Sequence, residues 1–189
     1  MKFCSQCGSD RIALAIPEGD TLQRFVCGEC RTIHYQNPKI VVGCLPEWED
    51  RVLLCRRAIE PRHGLWTLPA GFLENNETLH AGAARETLEE ARAHVEIGAL
   101  YTMISLPQIS QVYVMFRARL LDLDFGPGHE SLEVRLFHED DVPWESLAFR
   151  TIVRTLRNFY LDRKQGAFPT HVSTIERRPP RNLQLPAQR

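Results

Sequence analysis

Two cysteine pairs constrain this chain more than any other feature. Cys4-x2-Cys7 and Cys27-x2-Cys30 are separated by 19 residues, a spacing that reads as a four-thiolate zinc site. Gly8 follows the first pair and Gly28 lies inside the second. Glycine reaches positive φ without steric cost, so both are expected to form the tight turns of zinc knuckles. Between the pairs, residues 11–16 and 22–26 read as short strands around the turn-like Pro17-Glu18-Gly19-Asp20. Residues 1–36 are therefore expected to be a small β zinc ribbon. Four thiolates fill a tetrahedral shell and leave no open position, so this zinc is expected to be structural. Lys2 is followed by the polar Cys4-Ser5-Gln6-Cys7 and not by an apolar stretch, which speaks against a secretion signal and a disulfide framework and for the cytoplasm. The longest apolar runs, such as residues 40–45, fall far below the ~20 residues of a membrane span, so no membrane partner is expected.

The pattern changes at Asn37-Pro38. Residues 39–45 and 52–56 read as a strand pair with a turn near 47–51. Residues 78–92 lack proline and place Ala84, Leu88 and Ala91 at i, i+4 and i+7, which predicts one buried helical face. Strands are expected at 94–104, 111–121 and 134–138, and a second amphipathic helix at 148–163. This order predicts an α/β/α sandwich with a mixed sheet over residues 37–165, followed by an extended tail at 166–189. With 189 residues, 25% charged and a net charge of −1, the chain lacks the basic excess of a general nucleic-acid binder, so no nucleic-acid partner is expected.

The same helix carries Glu86, Glu89 and Glu90 at i, i+3 and i+4, so three carboxylates share one face. Like charges at that spacing repel by about 0.2–0.5 kcal/mol per pair. A solvated acidic face is one reading and a cation site is the other. Three features favour the cation. The Ala70-Gly71 turn lies just upstream, Glu77 stands eight residues before Arg85 and suits clamping it, and carboxylate and carbonyl oxygens are ligands that Mg²⁺ and Mn²⁺ prefer.

Gly71-x5-Glu77-x7-Arg85-Glu86-Thr87-x-Glu89-Glu90 resembles the Nudix box, G-x5-E-x7-R-E-U-x-E-E-x-G-U with U aliphatic. Two positions depart from it: Thr87 replaces an aliphatic residue and Arg92 replaces the closing glycine. The resemblance implies the Nudix fold and metal-dependent hydrolysis of a nucleoside diphosphate derivative. It implies that Glu86, Glu89 and Glu90, with the Ala70 carbonyl, hold Mg²⁺ or Mn²⁺, while Arg85 and Glu77 orient these acids. A further base often comes from a loop near the last strand, where Glu133 is the first candidate and Glu130 the second.

Around the box, Tyr35-Gln36-Asn37-Pro38-Lys39, the run from Gly64 to Gly71 and the run from Glu130 to Phe137 resemble zinc-ribbon Nudix proteins that act on ADP-ribose or FAD, releasing AMP. NADH pyrophosphatases are the alternative. They carry an aromatic Ser-Gln-Pro-Trp-Pro-Phe-Pro-like run after the box, where this chain has Ser105-Leu106-Pro107-Gln108-Ile109-Ser110. A non-catalytic sensor of ADP-ribose-like ligands is a further reading, which the complete acid set disfavours. Arg56 and Arg57 are candidate diphosphate contacts or a plain surface strand end. Trp66, Phe72 and Tyr113 are candidates for base stacking or for the core, and Cys44 and Cys55 read as buried small hydrophobes. The resemblance also implies a homodimer.

Overall fold

The computed structural model describes residues 1–176. The chain divides into two compact units, Met1–Pro38 and one that begins at Lys39.

In the first unit, β1 (Ile12–Ala15), β2 (Arg24–Cys27) and β3 (Ile33–His34) form an antiparallel sheet in the order β1-β2-β3. Each cysteine pair closes a knuckle: the Gly8 N–H donates to the Cys4 carbonyl at 2.9 Å and the Arg31 N–H to the Cys27 carbonyl at 3.0 Å. Gly8 takes φ 75°, as its sequence position predicts. In the second knuckle the left-handed residue is Arg31, at φ 60°, and Gly28 is not left-handed. The turn needs its special residue just after the second cysteine, so Gly28 lies too early to serve.

In the second unit, β4 (Lys39–Trp48) and β5 (Arg51–Arg57) form the predicted pair, longer than expected. The short β6 (Trp66–Thr67) and β7 (Ala70–Phe72) add to β5 and β4. Then come α1 (Leu79–Ala91), β8 (Val95–Leu106), β9 (Gln111–Leu120), β10 (Ser131–Phe137) and α2 (Arg150–Gln165). The sheet runs β10-β5-β4-β9-β8 and ends in β11 (His171–Thr174). It is mixed: β4 and β9 are parallel, as are β8 and β11, while the other pairs are antiparallel.

Side chains alternate across each strand, so the sheet has two apolar faces. Val42, Cys44, Val114, Phe116 and Ala118 pack with Ala83 of α1. Leu45, Leu54, Tyr101 and Met115 pack with Ile152, Leu156 and Phe159 of α2. This is the expected α/β/α sandwich. Residues 171–174 fall in the segment expected as a tail. There β11 pairs in parallel with β8, and Ile175 beyond it is 3% exposed. The remainder of that segment, 177–189, lies outside the described residues.

The buried stripe of α1 differs from the expected one. Ala83, Thr87 and Ala91 are sealed, together with Glu86 and Glu90, whereas Leu88 is 47% exposed. The helix is rotated so that two of its carboxylates face inward. Thr87 replaces an aliphatic residue without loss, because its hydroxyl donates to the Ala83 carbonyl at 2.8 Å and lies 3.0 Å from Cys44 Sγ.

Candidate active site and zinc centre

Local capping sets the position of α1. Thr78 is its N-cap, accepting the Ala81 N–H at 3.1 Å. Arg92 is the C-cap in the left-handed region, at φ 50°. That is where the box pattern has glycine, so the departure leaves the turn geometry in place.

Arg85 organises the acids. Its Nε and Nη2 donate to Glu77 at 3.0 and 2.7 Å, and its Nη1 donates to Glu86 at 2.8 Å and Glu89 at 3.0 Å. Nη2 also reaches the Phe72 carbonyl at 3.2 Å, tying the helix to the β7 loop. Glu90 makes no ion pair among the described residues and accepts the Ala70 N–H at 3.2 Å. Gly71 lies directly over the Glu86 carboxylate, and a Cβ there would overlap it. A side chain at this position would have to displace the Glu86 carboxylate from its bond to Arg85.

Electrostatics follow from burial. Loss of solvent pushes the Glu90 carboxyl up to about 8; the Ala70 N–H opposes this, and nearby Glu86 and Glu130 reinforce it. Burial also raises Glu86, against the pull of Arg85. Glu77, held by Arg85 and the Glu74 N–H, falls to about 2. One arginine thus serves Glu77, Glu86 and Glu89, and Glu90 is left without a cationic partner of its own.

The structure brings Glu77, Arg85, Glu86, Glu89, Glu90 and the Ala70 backbone together. It does not bring Glu133 to them. Glu133 lies opposite Arg56 across β10 and β5, with 3.8 Å contacts to Arg56 and Arg135. Glu130, the second candidate, is the loop acid whose charge is felt at both Glu86 and Glu90. Sequence reasoning missed what anchors its loop. The Gly126 and Gly128 N–H groups donate to the Ala91 and Glu90 carbonyls at 2.9 and 3.0 Å, capping the last turn of α1. The sequence feature that marks this contact is Gly126-Pro127-Gly128.

Arg56 Nε donates to the Gly64 carbonyl and Arg57 Nε to the Pro61 carbonyl, each at 3.0 Å. Arg57 also sits 5.1 Å over the Phe149 ring, and its charge acts on Glu90 and Tyr113. Trp66 is a core residue, 8% exposed and edge-on to Phe137. Phe72 is exposed beneath Lys39, and Tyr113 is half-buried. Cys44 and Cys55 are sealed, and burial pushes the Cys44 thiol up to about 12, which leaves them inert.

In the ribbon, Cys4, Cys7, Cys27 and Cys30 bring their Sγ atoms within 4.8 Å of one another. Backbone N–H groups of Gln6 and Glu29 donate to Cys4 and Cys27 at 3.4 Å. A compact sulfur tetrahedron with N–H donors suits zinc. Among the described residues it is the one cluster that tight; no three carboxylates close to 4.8 Å. The box acids offer an oxygen-only donor set with negative charge in excess, which suits a hard divalent cation.

The family model described as NUDIX domain matches residues 37–159, and the one described as Nudix N-terminal, a zinc ribbon, matches residues 2–36. The chain belongs to the Nudix family. It is similar to a NUDIX hydrolase from Nitrosomonas europaea, whose crystal structure superposes with a TM-score of 0.91 at 63% identity, covering 94% of this chain and 100% of that one. The NAD-capped RNA hydrolase NudC of Vibrio parahaemolyticus is 39% identical over 100 residues, 51% of this chain and 35% of that protein. The NudC of Vibrio vulnificus is 38% identical over 173 residues, 86% of this chain and 62% of that protein. The chain thus spans about a third to three fifths of these curated relatives. No described helix is long and apolar enough to cross a membrane.

Proposed function

We propose that this protein is a metal-dependent Nudix pyrophosphatase that cleaves the diphosphate of an AMP-containing dinucleotide, ADP-ribose or FAD, and releases AMP. The observation that carries this reading is the pair of inward carboxylates, Glu86 and Glu90, buried against Ala70 and Gly71 of β7 with too little positive charge around them. Glu86, Glu89 and Glu90, with the Ala70 carbonyl, would hold Mg²⁺ or Mn²⁺. When bound, such a cation supplies charge neutralisation at the diphosphate and activation of water. Arg85 fixes the directions of Glu86 and Glu89 and is itself fixed by Glu77. The Ala70 N–H does the same for Glu90. Glu130 is better placed than Glu133 to take the proton from the attacking water, because its charge reaches the buried acids and Glu133 is engaged by arginines. Arg57, beside this charge field, is the stronger of the two arginine candidates for a phosphate contact.

A second reading rests on the relatives named NudC, which are NAD-capped RNA hydrolases. They point to an NAD-type diphosphate, free or at an RNA end, and so weigh against the expected absence of a nucleic-acid partner. Against this stands the run Ser105–Ser110, which forms a short 3₁₀ turn at Pro107–Ile109 and lacks aromatic side chains.

A product-resolved assay of ADP-ribose, FAD, NADH and NAD-capped RNA with Mg²⁺ or Mn²⁺ decides between these readings. AMP from ADP-ribose or FAD at the highest kcat/KM is expected; a preference for NADH or capped RNA selects the second reading. Glu89→Gln is expected to lower kcat by roughly 10²–10³-fold, in the range seen when one charge-stabilising group is removed, with folding near wild type. Undiminished turnover in that variant removes the assigned role. Light scattering in solution tests the homodimer.

A further inference from the structure

We propose that His34 belongs to the zinc centre as an outer hydrogen-bond donor to the Cys4 thiolate, slowing zinc loss; this rests on reading the four cysteines as zinc ligands. His34 ends β3 and is 9% exposed, and its Nε2 lies 3.4 Å from Cys4 Sγ. That contact is the side-chain hydrogen bond it makes among the described residues. Cys4 is itself 3% exposed. Four thiolates outweigh one divalent ion, so a loaded centre is anionic, and its Cys4 side is shut off from water. A desolvated anion without donors is costly, and hydrogen bonds to a charged acceptor are the strong ones. A zinc-bound thiolate carries no proton, so the imidazole must be the donor, through Nε2–H. The Gln6 and Glu29 N–H donors follow from the knuckle turns themselves. Nothing in the knuckle geometry demands His34. It is a side chain recruited from the third strand to one of the two buried ligands.

The test uses the full chain loaded with zinc, with His34→Phe and His34→Gln. The measurement is the rate of zinc transfer to a chromogenic chelator. Outer partners of metal ligands are commonly worth roughly 10–100-fold in affinity, and zinc transfer from the Phe variant is expected to accelerate on that scale. The Gln variant keeps an N–H donor and should recover most of the loss. Equal rates in wild type and Phe overturn the proposal, and equal acceleration in Phe and Gln overturns it as a packing effect. In the zinc-loaded wild type, imidazole ¹⁵N shifts should show His34 as Nε2–H; the Nδ1–H tautomer overturns the proposal without any variant. Zinc absent from the purified wild type would instead sink the four-cysteine reading.

Discussion

Arg92 holds the helix C-cap in the left-handed region at φ 50°, where an L side chain crowds its own carbonyl and glycine does not. Its N–H still donates to the Leu88 carbonyl at 2.9 Å, so the turn forms at a steric cost. Arg92→Gly is therefore expected to stabilise the protein by about 0.5–1 kcal/mol, the relieved strain less the added freedom of the unfolded chain. A urea midpoint at or below wild type would contradict this. Glu77 offers a pH test. Its folded value of about 2 lies below the ordinary 4.5, because Arg85 and the Glu74 N–H favour its charged form. A depressed carboxyl contributes stability above its unfolded value and loses it as pH falls through the folded one. Glu77→Gln should thus be less stable than wild type at pH 7, with the gap closing between pH 4.5 and 2. Unfolding midpoints that stay a constant distance apart over that window would count against the clamp.

At the scale of elements, α1 and the loop at 126–130 act as one piece. Gly128 touches the helix end so closely that a Cβ there would overlap the Glu89 carbonyl oxygen. Gly128→Ala must push the loop off the last turn and strip caps from the Ala91 and Glu90 carbonyls. A loss of roughly 1–3 kcal/mol is expected, the usual cost of overpacking, together with a fall in kcat larger than any change in KM, because Glu130 moves with the loop. Wild-type kcat in a destabilised variant would show that loop position does not matter to chemistry.

Across the whole second unit, one buried carboxylate joins three elements. Asp162 of α2, 6% exposed, accepts the Tyr101 hydroxyl of β8 at 2.7 Å and lies 2.6 Å from Nε2 of His171 on β11. Tyr101 is 1% exposed, so its hydroxyl has no water to fall back on. Asp162→Ala should cost roughly 2–3 kcal/mol through the unsatisfied partners left behind. Hydrogen exchange is expected to rise at residues 171–175 before the rest of the sheet. Unaltered protection there would mean that backbone pairing with β8 alone holds the strand.

Local chemistry made much of this legible in the chain itself. Cysteine spacing announced the ribbon, because ligand pairs on tight turns need fixed short separations. The separations among Gly71, Glu77, Arg85 and the three glutamates announced the acid helix, because helical geometry fixes which residues share a face. Tertiary packing decided the rest. Ala83, and not Leu88, points inward, since the rotation of α1 follows from what the sheet, β7 included, offers it. Glu130 is the loop acid whose charge reaches Glu86 and Glu90, since that depends on where its loop meets the end of a helix formed much earlier in the chain. The segment that read as a tail supplies β11, since a four-residue strand has little signal of its own until β8 is there to pair with it.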